Sequence, residues 1–361
     1  DESFIKPLGI ILKSLKEDSE MNAYGWFYSH SLLIGHLSNR LLIHEELKQK
    51  PEITEQPIRK PLFIVSLPRT GTTLLQRLLA LDTFNRSPLL SEMMAPAPAQ
   101  LTDIKDTDPR ILDTQEILDI SHLLMPGVRP KHLMQPNEPE ECLFMLEKSF
   151  LFPTFHSRQG LPSYIKWLNK QDLIPAYQLY KTQLQILQFC RPELRWVLKC
   201  PWHMYSMKAL LKVFPDACVI STHRDPNKAI SSIISLIASI REGLRNRTDM
   251  QLLGKTQLEF WKDMLNRYIE ARDEFDQKRF IDVQYKDLVR DPIGTVQKIY
   301  EYFGYNFTSD FEERMKEYLY QNPKNKHGIH KYYPEQFGLD AGMIHKAFAE
   351  YMKRFRIPKE E

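Results

Sequence analysis

The sequence has no apolar run long enough to cross a bilayer. Its longest apolar-leaning stretch, Ala229 to Ile240, is interrupted by four serines, whereas a spanning helix needs about 20 predominantly apolar residues. No basic n-region followed by an apolar h-region opens the chain, so no secretory signal is visible and the expected location is cytoplasmic. The chain begins at Asp1 rather than Met, which leaves a trimmed targeting segment open. Cysteine is scarce: Cys142, Cys190, Cys200 and Cys218 form no CxxC pair and show no metal-type spacing with histidine. Reduced, buried thiols are therefore expected, and no metal centre. Excess charge is also lacking. A net charge of +3 spread over 361 residues argues against a nucleic-acid partner.

What is present is an ordinary globular composition, 42% hydrophobic and 26% charged, in a chain long enough to bury a substantial core. Short apolar runs alternate with stretches of helical spacing. Buried strands are predicted at 61–65, 195–200, 217–222 and 279–284. Helical patterns occupy residues 1 to about 55, then 108–124, 138–150, 172–190, 203–213, a segment starting near Pro226, and 255–278, 290–303 and 308–320. The Pro- and Met-rich stretch 87–98 reads as a loop. Strands alternating with helices indicate an α/β fold with a parallel sheet flanked by helices. One domain over 1–361 is expected: an N-terminal helical segment 1–55, a core 56–340 with a helical insertion at about 100–190, and a C-terminal helix 341–361.

The most informative residues are Leu67-Pro68-Arg69-Thr70-Gly71-Thr72-Thr73. They follow a predicted buried strand and enter a helix, so backbone N–H groups and the helix dipole would face an anion in the turn. The GxxxxGK[ST] spacing of nucleotide-binding P-loops is missing. No lysine precedes the hydroxyls, and the cation, Arg69, comes before the glycine. An ordinary strand-to-helix turn with Gly71 at positive φ and a threonine cap remains the plain alternative.

A second constellation follows the third strand: His223-Arg224-Asp225-Pro226-Asn227-Lys228, with Ser232 eight residues beyond Arg224. A guanidinium fork at a strand's C-terminal edge and a hydroxyl on the next helix suit a phosphate monoester. A salt-bridged Arg224 with a packed Ser232 is the structural alternative. The two segments in this order resemble the 5′-phosphosulfate loop and the 3′-phosphate segment of sulfotransferases that use PAPS (3′-phosphoadenosine 5′-phosphosulfate; its product is PAP). Phe280–Leu288 resembles the family strand end whose tyrosine, here Tyr285, contacts adenine. Residues 325–332 with Phe337-Gly338-Leu339 resemble the basic segment that closes over the nucleotide, which would enlist Lys326 and His327. The resemblance runs from about Leu42 to Leu339 and is strongest to the broad branch with PRTGTTLL, LKxPxH and HKY…FGL signatures.

That resemblance implies a P-loop-like sheet and transfer of a sulfuryl group to a hydroxyl or amine, with no metal required. Arg69, Thr70, Gly71, Thr72, Thr73, Arg224, Ser232, Tyr285, Lys326 and His327 would hold the nucleotide. Arg69 and Lys199 would stabilise charge on the leaving phosphate oxygen. A lysine ending a buried strand is costly unless it meets an anion. Two general-base candidates stand out. Glu92 lies in the 87–98 stretch, about where tyrosylprotein-type members place a catalytic glutamate, and ranks ahead of His203. Small-phenol members carry a histidine where this chain has Pro201, two residues after Lys199. A solvated loop carboxylate and a satisfied helix-start histidine are the bland readings of the pair.

The acceptor pocket is expected from residues 88–98, Phe150–His156 and the helices of 108–190, including Met93, Met94, Phe150, Phe152, Phe155 and Trp167, for which core packing is an equal explanation. A small-molecule, lipid or glycan acceptor stays open, as does a homodimer. The competing readings are a P-loop small-molecule kinase, which should carry a loop lysine and need Mg²⁺, and a non-catalytic nucleotide-binding protein on the same fold.

Overall fold

The computed structural model describes residues 2–98, 108–189, 191, 194–323 and 332–360. Five parallel strands form one sheet: β1 (Leu62–Ile64), β2 (Asn85–Arg86), β3 (Arg195–Lys199), β4 (Cys218–His223) and β5 (Phe280–Gln284), in spatial order β2-β3-β1-β4-β5. The short β1 is central because every residue in it is buried on both sides. Leu62 and Ile64 join a core with the helices Thr72–Leu79, Pro292–Phe303 and Ser309–Gln321. Phe63 and Val65 face the opposite core, built with the helices Ile174–Gln188, Pro226–Leu244 and Met250–Asp273. Apolar residues at every position, rather than at alternate ones, are what a parallel sheet covered on both faces requires. The α/β expectation holds, and β2 is a short edge strand with no apolar run to announce it.

Strand order reverses around β1. The chain leaves β1 for the far edge, returns through β3, and then crosses β1 to reach β4. Ligands bind at such a switch point, beyond the strands' carboxyl ends. Register brings the ends of neighbouring strands level there: Ile64 stands beside Lys199 and Ile220, and His223 beside Gln284. The loop after Ile64, Lys199, Arg224 and Tyr285 therefore all leave the sheet at one edge.

Several local expectations change. The 87–98 stretch contains a helical turn, Leu90–Met94, in place of a continuous loop. The predicted helix 138–150 begins only at Leu143; Pro139 instead forms an isolated bridge with Leu89, and the Cys142 amide is bonded to the Lys199 carbonyl at the end of β3. Residues 203–213 divide into a 3₁₀ turn, Pro201–Ser206, and a helix, Met207–Val213. Two helices, Thr154–Gln159 and Pro162–Leu168, escaped the sequence pattern. The C-terminal segment forms two short helices, Ala341–Ala347 and Ala349–Arg354, followed by an extended tail. Among the described residues no helix is long and apolar enough to cross a membrane.

Candidate active site

The loop after β1 is fastened from below before it turns. The buried Thr70 hydroxyl donates to the Leu67 carbonyl (2.7 Å) and lies 2.6 Å from Thr222 Oγ1 on β4. Thr222 in turn donates its amide to Ser66 Oγ at 2.7 Å. Arg69 adopts φ 67° and Gly71 φ 87°, and Gly71 starts the helix Thr72–Leu79. A side chain at 71 would be excluded twice over. The backbone is left-handed there, and a Cβ would stand 2.9 Å from Leu288 and 3.2 Å from the Tyr285 ring. Thr70 is thus a bolt holding the loop to β4, while Arg69, Gly71, Thr72 and Thr73 line the cavity above it. The first-turn amides, which have no intrahelical acceptor, belong to the same wall.

Arg224 extends from the end of β4 over this loop. Its Nη1 donates to the Arg69 carbonyl at 3.0 Å, and its guanidinium lies 4.0 Å above the Tyr285 ring. Its remaining donors meet the Glu360 carboxylate, at 3.0 and 3.1 Å from Nε and 2.9 Å from Nη2. The tail is held there by the Glu360 amide, which donates to buried Asp225 at 2.7 Å. An anion already suits this fork. Ser232, on the helix Pro226–Leu244, faces the same cavity as Arg224 and Tyr285.

At the end of β3 stands a charged cluster. Lys199, buried, lies 3.0 Å from Glu141 Oε1 and 3.5 Å from Glu140 Oε1; Glu140 lies 3.3 Å from His132 Nε2. Burial works against the Lys199 charge, but the carboxylates of Glu141 and Glu140 outweigh it and hold the ammonium above its ordinary value. Burial likewise opposes ionisation of Glu140, and His132 and Lys199 overcome it, so its carboxyl is held low. The His132 ring shows the reciprocal effect: burial disfavours its charge, the Glu140 carboxylate prevails, and its pKa rises. The segment is bolted at both ends of the site. Cys142 donates its amide to the Lys199 carbonyl (3.0 Å), and Gln76, from the loop's own helix, reaches the Glu140 carbonyl (3.3 Å). Glu141 and His132 line the cavity.

Neither expected base does. Glu92 is buried and turned to the edge strand. It pairs with Arg86, lies 3.5 Å from Arg191, and accepts the Leu89 amide at 3.0 Å. Arg86 is itself stacked 4.7 Å from the Trp196 ring. A carboxylate so held is a structural ion pair, and removing it would strand a buried guanidinium. His203 is fully buried beneath the sheet edge, its Nδ1 2.8 Å from the Tyr177 hydroxyl and its ring packed on Phe63. Burial lowers its pKa to about 3, so it is neutral. Lys326 and His327 lie outside the described residues.

The cavity encloses about 680 Å³ and extends from the loop into an apolar chamber lined by Phe27, Leu118, Met125, Trp202, Leu236 and Ile237, among others. Met94 belongs to this wall. Met93, Phe150, Phe152 and Phe155 are buried core, and Trp167 packs against Tyr164 with ring centres 6.1 Å apart. Sequence reasoning missed Glu140 and Glu141 because a helical pattern over 138–150 gives no sign that they turn to the end of β3, and missed His132 because no motif marks it.

Comparison with known proteins agrees with this geometry. The sequence model described as "Sulfotransferase family" matches residues 61–309, which include the loop, Lys199, Arg224 and Tyr285. The omega-hydroxy-beta-dihydromenaquinone-9 sulfotransferase Stf3 of Mycobacterium bovis is 30% identical over 266 residues. That stretch is 72% of this chain and 66% of the relative, so the chain spans just under two thirds of that relative's length. Among solved structures, sulfotransferase STF9 from Mycobacterium avium superposes with a TM-score of 0.89 at 28% identity, covering 100% of this chain and 93% of that one. Sulfotransferase STF1 from Mycobacterium tuberculosis H37Rv gives 0.85 at 29% identity, covering 97% and 93%.

Proposed function

This chain belongs to the sulfotransferase family, and we propose that it transfers a sulfuryl group from PAPS to the hydroxyl of a predominantly apolar acceptor. One observation carries the reading: a single cavity joins the Arg69–Thr73 loop, Arg224 and Ser232 to a large apolar chamber. Two phosphate-type anions have separate partners. The loop amides with Arg69 suit the 5′ end, and Arg224 with Ser232 suits the 3′ end. The Glu360 carboxylate on Arg224 supports the second assignment, since it presents two oxygens to the same fork a phosphate would use.

In the proposed reaction the acceptor oxygen forms a bond to sulfur while the bond between sulfur and the 5′-phosphate oxygen breaks, releasing PAP. The acceptor proton passes to Glu141, the carboxylate at the cavity wall beside Lys199. Arg69 and the loop amides, which line the cavity, offset negative charge growing on the leaving oxygen, a role that needs donors fixed in advance, while Lys199, which does not line it, holds Glu141 in place. Glu141 replaces Glu92 and His203 as the proposed base, because it alone of the three lines the cavity. The chamber favours an apolar alcohol over a glycan, whose hydroxyls would lose their hydrogen bonds there. The name of the Mycobacterium bovis relative, which specifies an omega-hydroxy menaquinone derivative, supports an acceptor of that general kind.

Thermal-shift titration with PAP, and separately with ATP and Mg²⁺, tests the reading. PAP without added metal should stabilise the protein by about 2.7 kcal/mol at a hundredfold excess over its Kd. Stabilisation by ATP–Mg²⁺ and none by PAP would favour a kinase. PAP binding without transfer of ³⁵S from labelled PAPS to a panel of long-chain alcohols would favour a binding protein on the same fold.

A further inference from the structure

The wall of the apolar chamber formed by the helix Ala23–Gln49 and residues 148–158 carries a polar patch, although it contributes nothing to the anion-binding set. His36, Asn39, Lys148, Ser157 and Arg158 all line the cavity there. Part of this patch is spoken for. Arg158 lies 2.6 Å from the buried Glu147 carboxylate, and Lys148 Nζ donates to the carbonyls of Met93 and Phe144, each at 2.7 Å. The rest is not. Ser157 Oγ and Asn39 Oδ1 are buried atoms without a hydrogen-bond partner, and Ser157 is 1% exposed; His36 Nε2, by contrast, faces the Glu147 carboxylate at 3.6 Å. An ammonium has three protons, so one N–H of Lys148 also remains. Buried polar atoms are rarely left unmatched, and a cluster of them on a ligand cavity points to a partner that arrives with the ligand.

We infer that this patch is a second recognition point for the acceptor, and that it takes a carbonyl oxygen carried on the apolar body at a distance from the hydroxyl that is sulfated. The inference rests on the proposed function for the identity of the cavity's occupant. Lys148 and Ser157 each offer a hydrogen toward a carbonyl, which accepts through two lone pairs. An uncharged acceptor fits better than a carboxylate. Glu147 and Arg158 neutralise each other, and burial, only partly offset by the Glu147 charge, pulls the Lys148 pKa to about 7. Little positive charge is then left to hold a desolvated anion; the ammonium form has its third N–H to donate, whereas the neutral amine's two hydrogens are already on the Met93 and Phe144 carbonyls, so the Ser157 hydroxyl is the donor common to both forms. The main chain at Ser157 is fixed at the cavity wall, because Arg241 Nε donates to its carbonyl at 2.9 Å.

Calorimetric titration of the full chain with dodecan-1-ol and with its keto derivatives, the carbonyl placed at successive carbons, tests this without requiring turnover. At least one ketone should bind about tenfold tighter than dodecan-1-ol, and Lys148→Met and Ser157→Ala should each abolish that preference while leaving PAP binding unchanged. Ser157→Ala removes an oxygen bonded to no protein group, so its melting temperature should match wild type and keep the test sound even if Lys148→Met fails to fold. Equal binding of all ketones and the alcohol would overturn the inference. So would a preference that survives Ser157→Ala, or tighter binding of 12-hydroxydodecanoate than of every ketone. Ketone preference without sulfation of any alcohol would leave the patch standing and remove the transferase reading.

Discussion

Arg224 and Glu360 form a two-pronged pair, with Nε and Nη2 both directed at one carboxylate and the third prong, Nη1, on the Arg69 carbonyl. The fork proposed for the 3′-phosphate is thus occupied by the chain's own anion, tethered through Asp225. A phosphate must displace it. The pair is partly solvated, its side chains 21% and 31% exposed, so the competition is worth only about 0.2–1 kcal/mol. Glu360→Gln should therefore tighten PAP binding about two- to fivefold, with the gain shrinking at high salt. Arg224→Ala should raise the Michaelis constant for PAPS far more than it lowers turnover. The loss of a charge-assisted fork costs about 2 kcal/mol or more. Calorimetric Kd values for PAP on both variants decide the matter: an unchanged Kd in Arg224→Ala would remove this residue from the nucleotide site.

Two carboxylates one strand apart should separate cleanly by their kinetics. Glu141→Gln is expected to lower kcat about a hundredfold or more and leave PAP affinity nearly intact, since a base acts mainly in the transition state. Glu92→Gln should show the opposite pattern. Its loss leaves Arg86 without its carboxylate partner, so the melting temperature should fall while kcat in the folded fraction changes little. Single-turnover rates and thermal melts on the two variants test this. A silent Glu141→Gln would pass the role to His132, whose ring lies on the same wall.

The residues proposed for the nucleotide could be grouped from the sequence because their chemistry is local. A turn after a strand, Gly71, and an Arg-to-Ser spacing of eight each specify a backbone path and a donor within a few residues. Arg69, Gly71, Arg224, Ser232 and Tyr285 accordingly converge on one cavity, and the α/β sheet follows from four recognisable apolar runs. Which carboxylate or imidazole faces the cavity was not legible in the same way. Glu92 and His203 have the right types and the right approximate positions, but which way a side chain points depends on partners distant in sequence. Glu92 is drawn to Arg86 and Arg191, and His203 to Tyr177 beneath the sheet. Glu141 reaches the site only because Cys142 is bonded to Lys199 across 57 residues, a contact no helical or strand period announces.

The loop itself should tolerate no side chain at position 71. Gly71→Ala places a Cβ 2.9 Å from Leu288 in a left-handed backbone, with a cost of about 1–3 kcal/mol. Relief would require Tyr285 or Leu288 to move, and Tyr285 supports Arg224. Both stability and PAP binding should therefore suffer. Chemical denaturation with and without PAP checks this. A variant that unfolds like wild type and retains its PAP affinity would show that the loop has another accessible conformation.

His203 should report on folding rather than on catalysis. Burial among Phe63, Tyr177 and Tyr180 lowers its pKa from 6.5 to about 3. The unfolded chain takes up a proton below pH 6.5 that the folded chain refuses until about pH 3. The stabilisation from keeping this ring neutral is accordingly full above pH 6.5 and is lost as pH falls through that window. At about 1.4 kcal/mol per unit, the loss between pH 6.5 and 4.5 approaches about 2–3 kcal/mol. His203→Phe has no proton to take up. Its ring fits the same aromatic surroundings, and the Tyr177 hydroxyl keeps Ser206 Oγ at 3.1 Å. The buried His36 and His156, also held low chiefly by burial, destabilise both proteins alike as the pH drops. Denaturant melts at pH 7 and pH 4.5 should therefore show a smaller decline for His203→Phe than for wild type, with kcat at pH 7.5 little altered. Parallel declines would mean that His203 is protonated in the folded state, and a loss of kcat without loss of stability would return it to the active site.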